Sequence, residues 1–484
     1  MIDIKNQQIR VLKRNLTLAK DTYIGKKYRF NTINSYSSFK HQVPFHSYYD
    51  LQEYIEKIKN KHSDILWPGK IQNFAVSSGT TGEGKHLPLS DDRLKSDYHF
   101  MRHIVVTYLK QKPTLAIFGP QLSLPGSLEY NRNKNIFIGE ISAFLAKMVP
   151  FYLRHFQVIS LDELACTSWE DKFNRCLHAA LNKDIRVINA VPSWTLILFQ
   201  KALEITGKNS ISEVWPNLQL ITGGGVSLDS YKESLVKLCG AITPDFMEFY
   251  GASEGYFAHS ETMNSDDLKL IINNGIFYEW YPFDKWKSAP DNDHIVPTWD
   301  IEAHTPYVIT ITNNSGLWRY PMNDIIEFTD VSKLKIKIIG RVSDMLDDYG
   351  EALYYQEGRQ ALSESTKEIG AKFEQFFMAA TLDNQYQQPH HLWFIKWETR
   401  PNNPQNLAEI IDDKLRVKNR HYAIRRESEA LGLPEMFSIN NEIMETWLHN
   451  TPDATAQTKI PHIIHDPKSV ARLREIIDRL SHKS

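Results

Sequence analysis

From residue 77 to residue 85 the chain reads SSGTTGEGK, with Ser77, Ser78, Thr80 and Thr81 crowded around Gly79 and Gly82 and Lys85 closing the run. Glycines free the backbone to point N–H groups inward, hydroxyls add further donors, and a lysine brings positive charge. Such a loop can wrap phosphate groups and lower the cost of taking their charge out of water. Gly79, Gly84 and Lys85 satisfy most of GxxxxGK, the Walker A pattern. Two residues oppose that loop: His86 stands where a Ser or Thr should hold magnesium, and Pro88 stands where its helix should already be running. A serine-glycine run can also be a plain solvent-facing turn, so the surrounding elements and later motifs have to decide.

The elements needed to position this loop can be read on both sides of it. The first 65 or so residues mix helical segments with a proline-containing loop, and residues 71–78 read as a short strand running straight into the glycines. A helix is predicted over 91–112, then helix, buried strand (IRVINAV) and a second helix from Pro192-Ser193 between 171 and 199. Residues 218–222 form an apolar strand ending in Gly223-Gly224-Gly225, where missing side chains permit close approach of a ligand, and 246–250 a strand leading into GASEG. Repeated strand-to-glycine transitions predict an α/β core with ligands gathered at strand ends. Residues 307–313, 316–320, 325–328 and 335–340 then read as short strands of a compact β subdomain. The polar stretch VSDMLDDYGEAL places a boundary after Arg341, giving a large domain over 1–341 and a small α+β domain over 342–484. In the latter, helices are predicted over 360–368 and 407–431 and after Lys468, with strands over 373–380 and 391–398.

A chain of 484 residues divides naturally into two domains, and its formal charge of -2 sets up no global field towards nucleic acid or a membrane surface. The N-terminal stretch has neither the apolar core of a signal peptide nor a membrane span, so a cytoplasmic location is expected. Cys166, Cys176 and Cys239 form no close metal-ligand pair and read as inert thiols. No internal repeat or coiled coil is visible.

YGASEG at 250–255, YPMNDII at 320–326 and GRVSD at 340–344 follow the loop in the order found in adenylate-forming enzymes. Over nearly its whole length the chain resembles the GH3 family, known from auxin-responsive plant acyl acid amido synthetases, in the superfamily of acyl-CoA ligases and luciferase. The resemblance implies a large N-terminal adenylate-forming α/β domain with a β subdomain and a small mobile α+β C-terminal domain. It implies that Ser78, Gly79, Thr80, Thr81, Gly82 and Lys85 hold the phosphates of ATP, and that Tyr250, Gly251, Ser253 and Glu254 lie beside adenine and the α-phosphate. Glu254 would be the ligand of Mg²⁺. Gly223 and Gly224 would line the nucleotide and acyl sites, Asp324 would accept from the ribose hydroxyls, and Arg341 would be the arginine near the hinge. Lys459, in TAQTKIPH at 455–462, would reach the adenylate from the small domain, completing a catalytic set of Lys85, Glu254, Arg341 and Lys459. The chain departs from the family pattern at Pro321 and at Asn323, where glycine is usual before the acidic residue, and at Ile460 and His462 in the late segment.

The chemistry so implied is activation of a carboxylate by attack on the α-phosphate of ATP, pyrophosphate leaving, followed by acyl transfer and release of AMP. The step needs charge compensation and alignment more than proton transfer. Each residue also has a plain reading. Glu254 could be a strand-end ion pair, Asp324 a turn cap, Tyr250 a core tyrosine, Arg341 a partner of Asp344 or Asp347, and Lys459 a solvated lysine. His259 and His304 are candidate bases for the second step or ordinary satisfied histidines, and residues 122–145 with Tyr256 and Phe257 either line an acyl pocket or fill core. Expected partners are a small carboxylic acid and an amino acid, with neither nucleic acid nor membrane, as a monomer or weak homodimer. The alternatives are a CoA acceptor, whose phosphates the Arg416, Lys418, Arg420, Arg425 and Arg426 cluster could meet, and a non-catalytic nucleotide-binding protein.

Overall fold

The computed structural model describes residues 3–77, 85–159, 169–225, 228–265, 267–286, 290–346, 349, 351, 353–381, 389–401, 404–449 and 462–481. Ser78, Gly79, Thr80, Thr81, Gly82, Lys459 and Cys166 therefore lie outside the described residues. Contacts gather into two compact units, one reaching to residue 338 without 323–325, the other made of 323–325 and the chain from 339 onward.

The first unit opens with four helices, α1 (Ile4–Ala19), α2 (Tyr23–Lys27), α3 (Tyr36–Gln42) and α4 (Tyr48–Lys59). Each begins where a short polar side chain accepts a first-turn amide: Asp3, Thr22, Ser35 and Ser47. Next come β1 (Asn73–Ser77), β2 (Lys85–Leu89), α5 (Asp91–Gln111), β3 (Gln121–Ser123), β4 (Leu128–Asn131), β5 (Ile136–Gly139) and α6 (Ile141–Met148). A helix-strand alternation follows: α7 (Trp169–Leu181), β6 (Val187–Asn189), α8 (Pro192–Thr206), α9 (Ile211–Val214), β7 (Leu220–Gly224), α10 (Asp229–Cys239) and β8 (Asp245–Ala252). The unit then turns all-β through β9 (Gly255–Ser260), β10 (Leu268–Leu270), β11 (Ile276–Pro282), β12 (Val296–Pro297), β13 (Pro306–Asn313), β14 (Tyr320–Asp330) and β15 (Lys335–Arg341), of which residues 323–325 and 339–341 count with the second unit.

β2-β1-β5-β4 form one sheet, and an eleven-stranded sheet runs β12-β11-β13-β14-β15-β10-β9-β8-β7-β6-β3. β3, β6, β7 and β8 are parallel, whereas β8–β9, β9–β10, β10–β15 and β11–β13 are antiparallel. The α/β core and the β subdomain are thus two halves of one sheet. Phe100, Ile104 and Tyr108 of α5 bury against Leu220, Met247 and Tyr256, each such side chain contributing about 1.5–3 kcal/mol of burial.

One expectation is corrected here. Strands were predicted over 316–320 and 325–328, but residues 316–319 are irregular, with bends at 316 and 319, and β14 runs unbroken from Tyr320 to Asp330. Gly316 sits at φ +97°, and a Cβ there would lie 2.5 Å from the side chain of Leu66. Asn323, inside β14, has φ 61°. Asparagine is among the few residues besides glycine that tolerate this left-handed region, which explains why it can stand where the family usually has glycine. Asn323→Gly is expected to fold as well as the parent, while Asn323→Val should lose about 1–2 kcal/mol in equilibrium urea unfolding.

The second unit contains β16 (Met345–Leu346), β17 (Leu353–Tyr354), α11 (Tyr355–Glu368), β18 (Lys372–Ala380), β19 (His391–Thr399), α12 (Pro404–Lys418), α13 (Arg420–Glu427), β20 (Glu435–Ile439), α14 (Asn441–His449), β21 (Ile463–Ile464) and α15 (Pro467–Ser481). Its sheet has the order β20-β19-β18-β21. The strand period of two splits the residues cleanly. Phe376, Met378, Trp393 and Ile395 pack with α11 and α12 in one cluster, while Phe377, Ala379, Leu392 and Phe394 pack with α14 and α15 in another. The single helix expected over 407–431 is two, because Asn419 ends α12 and its Oδ1 accepts the Tyr422 amide at 2.9 Å to start α13. Among the described residues no helix is long and apolar enough to cross a membrane.

Candidate active site

β1 and β2 are antiparallel, with Ser77 opposite Lys85, so residues 78–84 connect the two strands of a hairpin and Lys85 stands at its base. A second hairpin, β8–β9, pairs Ala252 with Gly255, which leaves Ser253 and Glu254 as its two turn residues. The hairpins meet: Ser253 Oγ donates to the Val76 carbonyl at 3.1 Å, one residue from the end of β1. The Glu254 carbonyl accepts from Asn313 Nδ2 at 3.0 Å and from Arg93 Nη1.

Further bonds brace this junction. Ser90 Oγ donates to Asn314 O at 2.6 Å and Ser315 Oγ to Pro88 O at 2.6 Å, joining the β13–β14 turn to the end of β2. Asn313 Oδ1 in turn accepts the amides of Ser315 (2.9 Å) and Leu317 (3.1 Å), which fixes its Nδ2 towards Glu254. Two tyrosines complete the surroundings. Tyr48 accepts the His86 amide at 3.1 Å, and its ring centroid lies 5.8 Å from Lys85 Nζ. Tyr320 is buried; burial first, then the negative charge of Glu254, pushes its hydroxyl well above the ordinary tyrosine range. The first unit therefore brings the base of the 78–84 loop, Lys85, Ser253 and Glu254 onto one rigid patch.

In the second unit Arg341 Nε donates to Asp324 Oδ1 at 2.9 Å, with Asp324 buried in β14 and the Arg341 side chain 55% exposed. Arg341 was expected, on its plain reading, to pair with Asp344 or Asp347. It meets Asp324, while Asp344 meets His462 Nδ1 at 3.2 Å and Asp347 lies outside the described residues. The ring of His462 also stacks on Tyr355, centroids 4.0 Å apart. His462, a departure from the family pattern, thus has a structural position of its own.

Gly223 and Gly224 end β7, fully buried. A Cβ on Gly223 would meet the Ala190 carbonyl at 2.4 Å, and one on Gly224 the Phe249 carbonyl at 2.3 Å, so contact with neighbouring backbone already demands glycine. Gly251 is required by the ring of Tyr256, 2.5 Å from where its Cβ would stand. Tyr250 packs on Phe257 at 4.8 Å within the main core, and Tyr256 and Phe257 are both buried. Their plain reading as core is what the structure displays.

Both histidines have local partners. His259 is buried, with Nδ1 at 2.8 Å from Ser260 O and Nε2 at 2.8 Å from His103 Nδ1, and burial, more than any other cause, depresses it to about 4. His304 is exposed and left-handed, 3.5 Å from Glu327. The basic cluster is largely consumed internally. Asp412 holds Arg416 and Arg426 at 2.8 and 2.6 Å, Lys418 pairs with Glu364, and Arg425 donates to Tyr349 O.

Arg93, Asn313, Tyr48 and Tyr320 were not singled out from sequence as site residues. Arg93 and Asp97 do have helical i,i+4 spacing, a visible signal for a pair, but nothing local shows that the arginine also reaches residue 254. Among the described residues no three or more His, Cys, Asp and Glu converge to hold a metal. A carboxylate at the Ser253–Glu254 turn suits a hard cation that takes its remaining ligands from phosphate and water, the habit of Mg²⁺.

Sequence profiles of one family match along the chain: the GH3 family N-terminal domain over residues 1–204, the central domain over 269–341 and the C-terminal domain over 356–468. The chain is 22% identical to indole-3-acetic acid-amido synthetase GH3.3 of Arabidopsis thaliana, over 97% of this chain and 90% of that one. It is 23% identical to 4-substituted benzoates-glutamate ligase GH3.12 of the same plant, over 60% of each. Among solved structures, AtGH3.15 acyl acid amido synthetase in complex with 2,4-DB superposes with a TM-score of 0.78 at 16% identity, over 98% of this chain and 94% of that one. A 2-hydroxyisobutyryl-CoA ligase in the postadenylation state follows at 0.61 and 11%, over 98% and 91%.

Proposed function

The chain belongs to the GH3 family of adenylate-forming, acyl-activating enzymes, and from that premise we propose that it joins a small carboxylic acid to an amino acid amine at the expense of ATP. The observation that carries this reading is the junction of the two hairpins. The Ser253–Glu254 turn is bonded to the strand that enters the 78–84 segment and Lys85 begins the strand that leaves it, which supports assigning the triphosphate to that segment. Lys85 and the loop hydroxyls Ser78, Thr80 and Thr81 neutralise and orient the triphosphate, with Gly79 and Gly82 letting the backbone approach. Glu254 would hold Mg²⁺, which would supply charge compensation to the triphosphate. Asp324 accepts from the ribose hydroxyls, a role in which Arg341 keeps the carboxylate oriented. Gly251 and Tyr250 back the adenine side, and Lys459 reaches the adenylate from the small domain.

Attack of the acid on the α-phosphorus expels pyrophosphate; attack of a neutral amine on the acyl carbon then expels AMP. The names of the GH3 relatives favour an amine acceptor. The internal use of Arg416, Lys418, Arg425 and Arg426 also removes most of the patch that would have met CoA phosphates. Two assays test the reading. Exchange of labelled pyrophosphate into ATP should depend on added acid across a panel of aryl, indole and short-chain acids. AMP release should then rise with amino acids and not with CoA. Exchange absent for every acid, with ATP still bound, would assign a nucleotide-binding role instead.

A further inference from the structure

Arg93 is 1% exposed, in the first turn of α5. Its Nε lies 2.8 and 2.7 Å from the two carboxylate oxygens of Asp97, itself 1% exposed, and its Nη1 donates to the Glu254 carbonyl. Nη2 is buried with no hydrogen-bond partner among the described residues. Asn313 Nδ2 takes the other lone pair of the same carbonyl at 3.0 Å. A carbonyl oxygen has two lone pairs, so these donors saturate it and hold the 254–255 peptide plane from two sides. Ser253 adds a separate anchor, its hydroxyl donating to the Val76 carbonyl of β1.

Burying an arginine-aspartate pair is expensive, and well-packed apolar residues commonly do as well for stability. Retaining the charge in this place needs a reason beyond folding. A guanidinium gripped by Asp97 is a rigid donor that a methyl-bearing side chain cannot imitate. We propose that Arg93, set by Asp97, is a positioning residue that fixes the Glu254 turn so that the Glu254 side chain is presented to metal-bound triphosphate at one angle. The inference deepens the proposed function and rests on it.

The test compares Arg93→Gln, Arg93→Lys and the paired replacement Arg93→Met with Asp97→Leu in the full chain, with Glu254→Gln alongside. The paired variant removes the donor without leaving a buried charge, so it separates positioning from folding. Binding of Mn²⁺ with ATP, read by water-proton relaxation, should weaken ~10–100-fold in the paired variant, the usual cost of loosening a group that orients a metal ligand. Acid-dependent exchange should need correspondingly more Mg²⁺, amide exchange of residues 252–257 should quicken, and Arg93→Lys should recover part of what Arg93→Gln loses. A folded paired variant with unchanged Mn²⁺–ATP binding and unchanged Mg²⁺ dependence overturns the proposal. If Glu254→Gln is also without effect, the fault lies with the role given to Glu254; if Glu254→Gln alone is impaired, only the positioning inference falls.

Discussion

Glu254→Gln should depress acid-dependent pyrophosphate exchange on the order of 10²–10³-fold, or about 3–4 kcal/mol of transition-state stabilisation. Glutamine keeps the size of the side chain and an oxygen, and loses the charge that makes a carboxylate a ligand for a hard cation. The fold should not notice. The turn is held through the Glu254 main-chain carbonyl by Asn313 and Arg93, and through the Ser253 hydroxyl by Val76, all of which survive the substitution. Exchange rates measured beside thermal unfolding of the same preparations check both halves of the statement. Loss of exchange should be partly recovered by excess Mg²⁺, because the phosphates and water supply the other ligands. Exchange within about threefold of the parent at ordinary Mg²⁺ would remove Glu254 from the metal's surroundings.

Much of this site could be read because its residues are neighbours in sequence. YGASEG declares the β8–β9 turn and YPMNDII the start of β14 within a few letters, and the parallel strands β6, β7 and β8 are short apolar runs, whereas the glycine-hydroxyl run lies outside the described residues. What could not be read is contact across long separations. Arg93 and Asn313 lie 161 and 59 residues from Glu254, and each would pass for an ordinary polar residue on a helix or turn. The errors in the fold have a similar origin. A left-handed asparagine inside β14 looks like a strand break, because local letters do not show that the ladder continues past it. Asn419 looks like a tolerable helix residue until its side chain is seen capping the next helix. The stretch after Arg341 reads as exposed and polar, yet Glu351 within it is 0% exposed.

That buried carboxylate should produce the largest stability effect. Glu351 Oε1 meets His391 Nε2 at 2.8 Å, with the two side chains 0% and 1% exposed, and Oε2 accepts the Tyr349 amide at 2.8 Å. Tyr349 passes the link outward, its carbonyl accepting from Arg425 Nε at 2.8 Å and its hydroxyl donating to Thr381 O. His391 Nδ1 already has no hydrogen-bond partner among the described residues. Glu351→Ala would therefore leave the whole imidazole buried without a bond, at a cost of roughly 3–5 kcal/mol, whereas Glu351→Met with His391→Phe should recover most of the loss. Amide exchange of β18 and β19 in the full chain reads this locally. The pH dependence has a definite sign. Burial by itself raises the Glu351 carboxyl, but the His391 hydrogen bond and charge outweigh it, with help from the Tyr349 amide, and hold it below its ordinary value of 4.5. A depressed folded value means stability that is complete above the unfolded value and is lost as pH falls through the folded one. The contribution of the Glu351 carboxyl to the gap between parent and Glu351→Ala should thus be complete above the ordinary carboxyl range and be lost only in stronger acid. A single variant within about 1 kcal/mol of the parent at neutral pH would mean that the pair contributes no more than an exposed surface bridge.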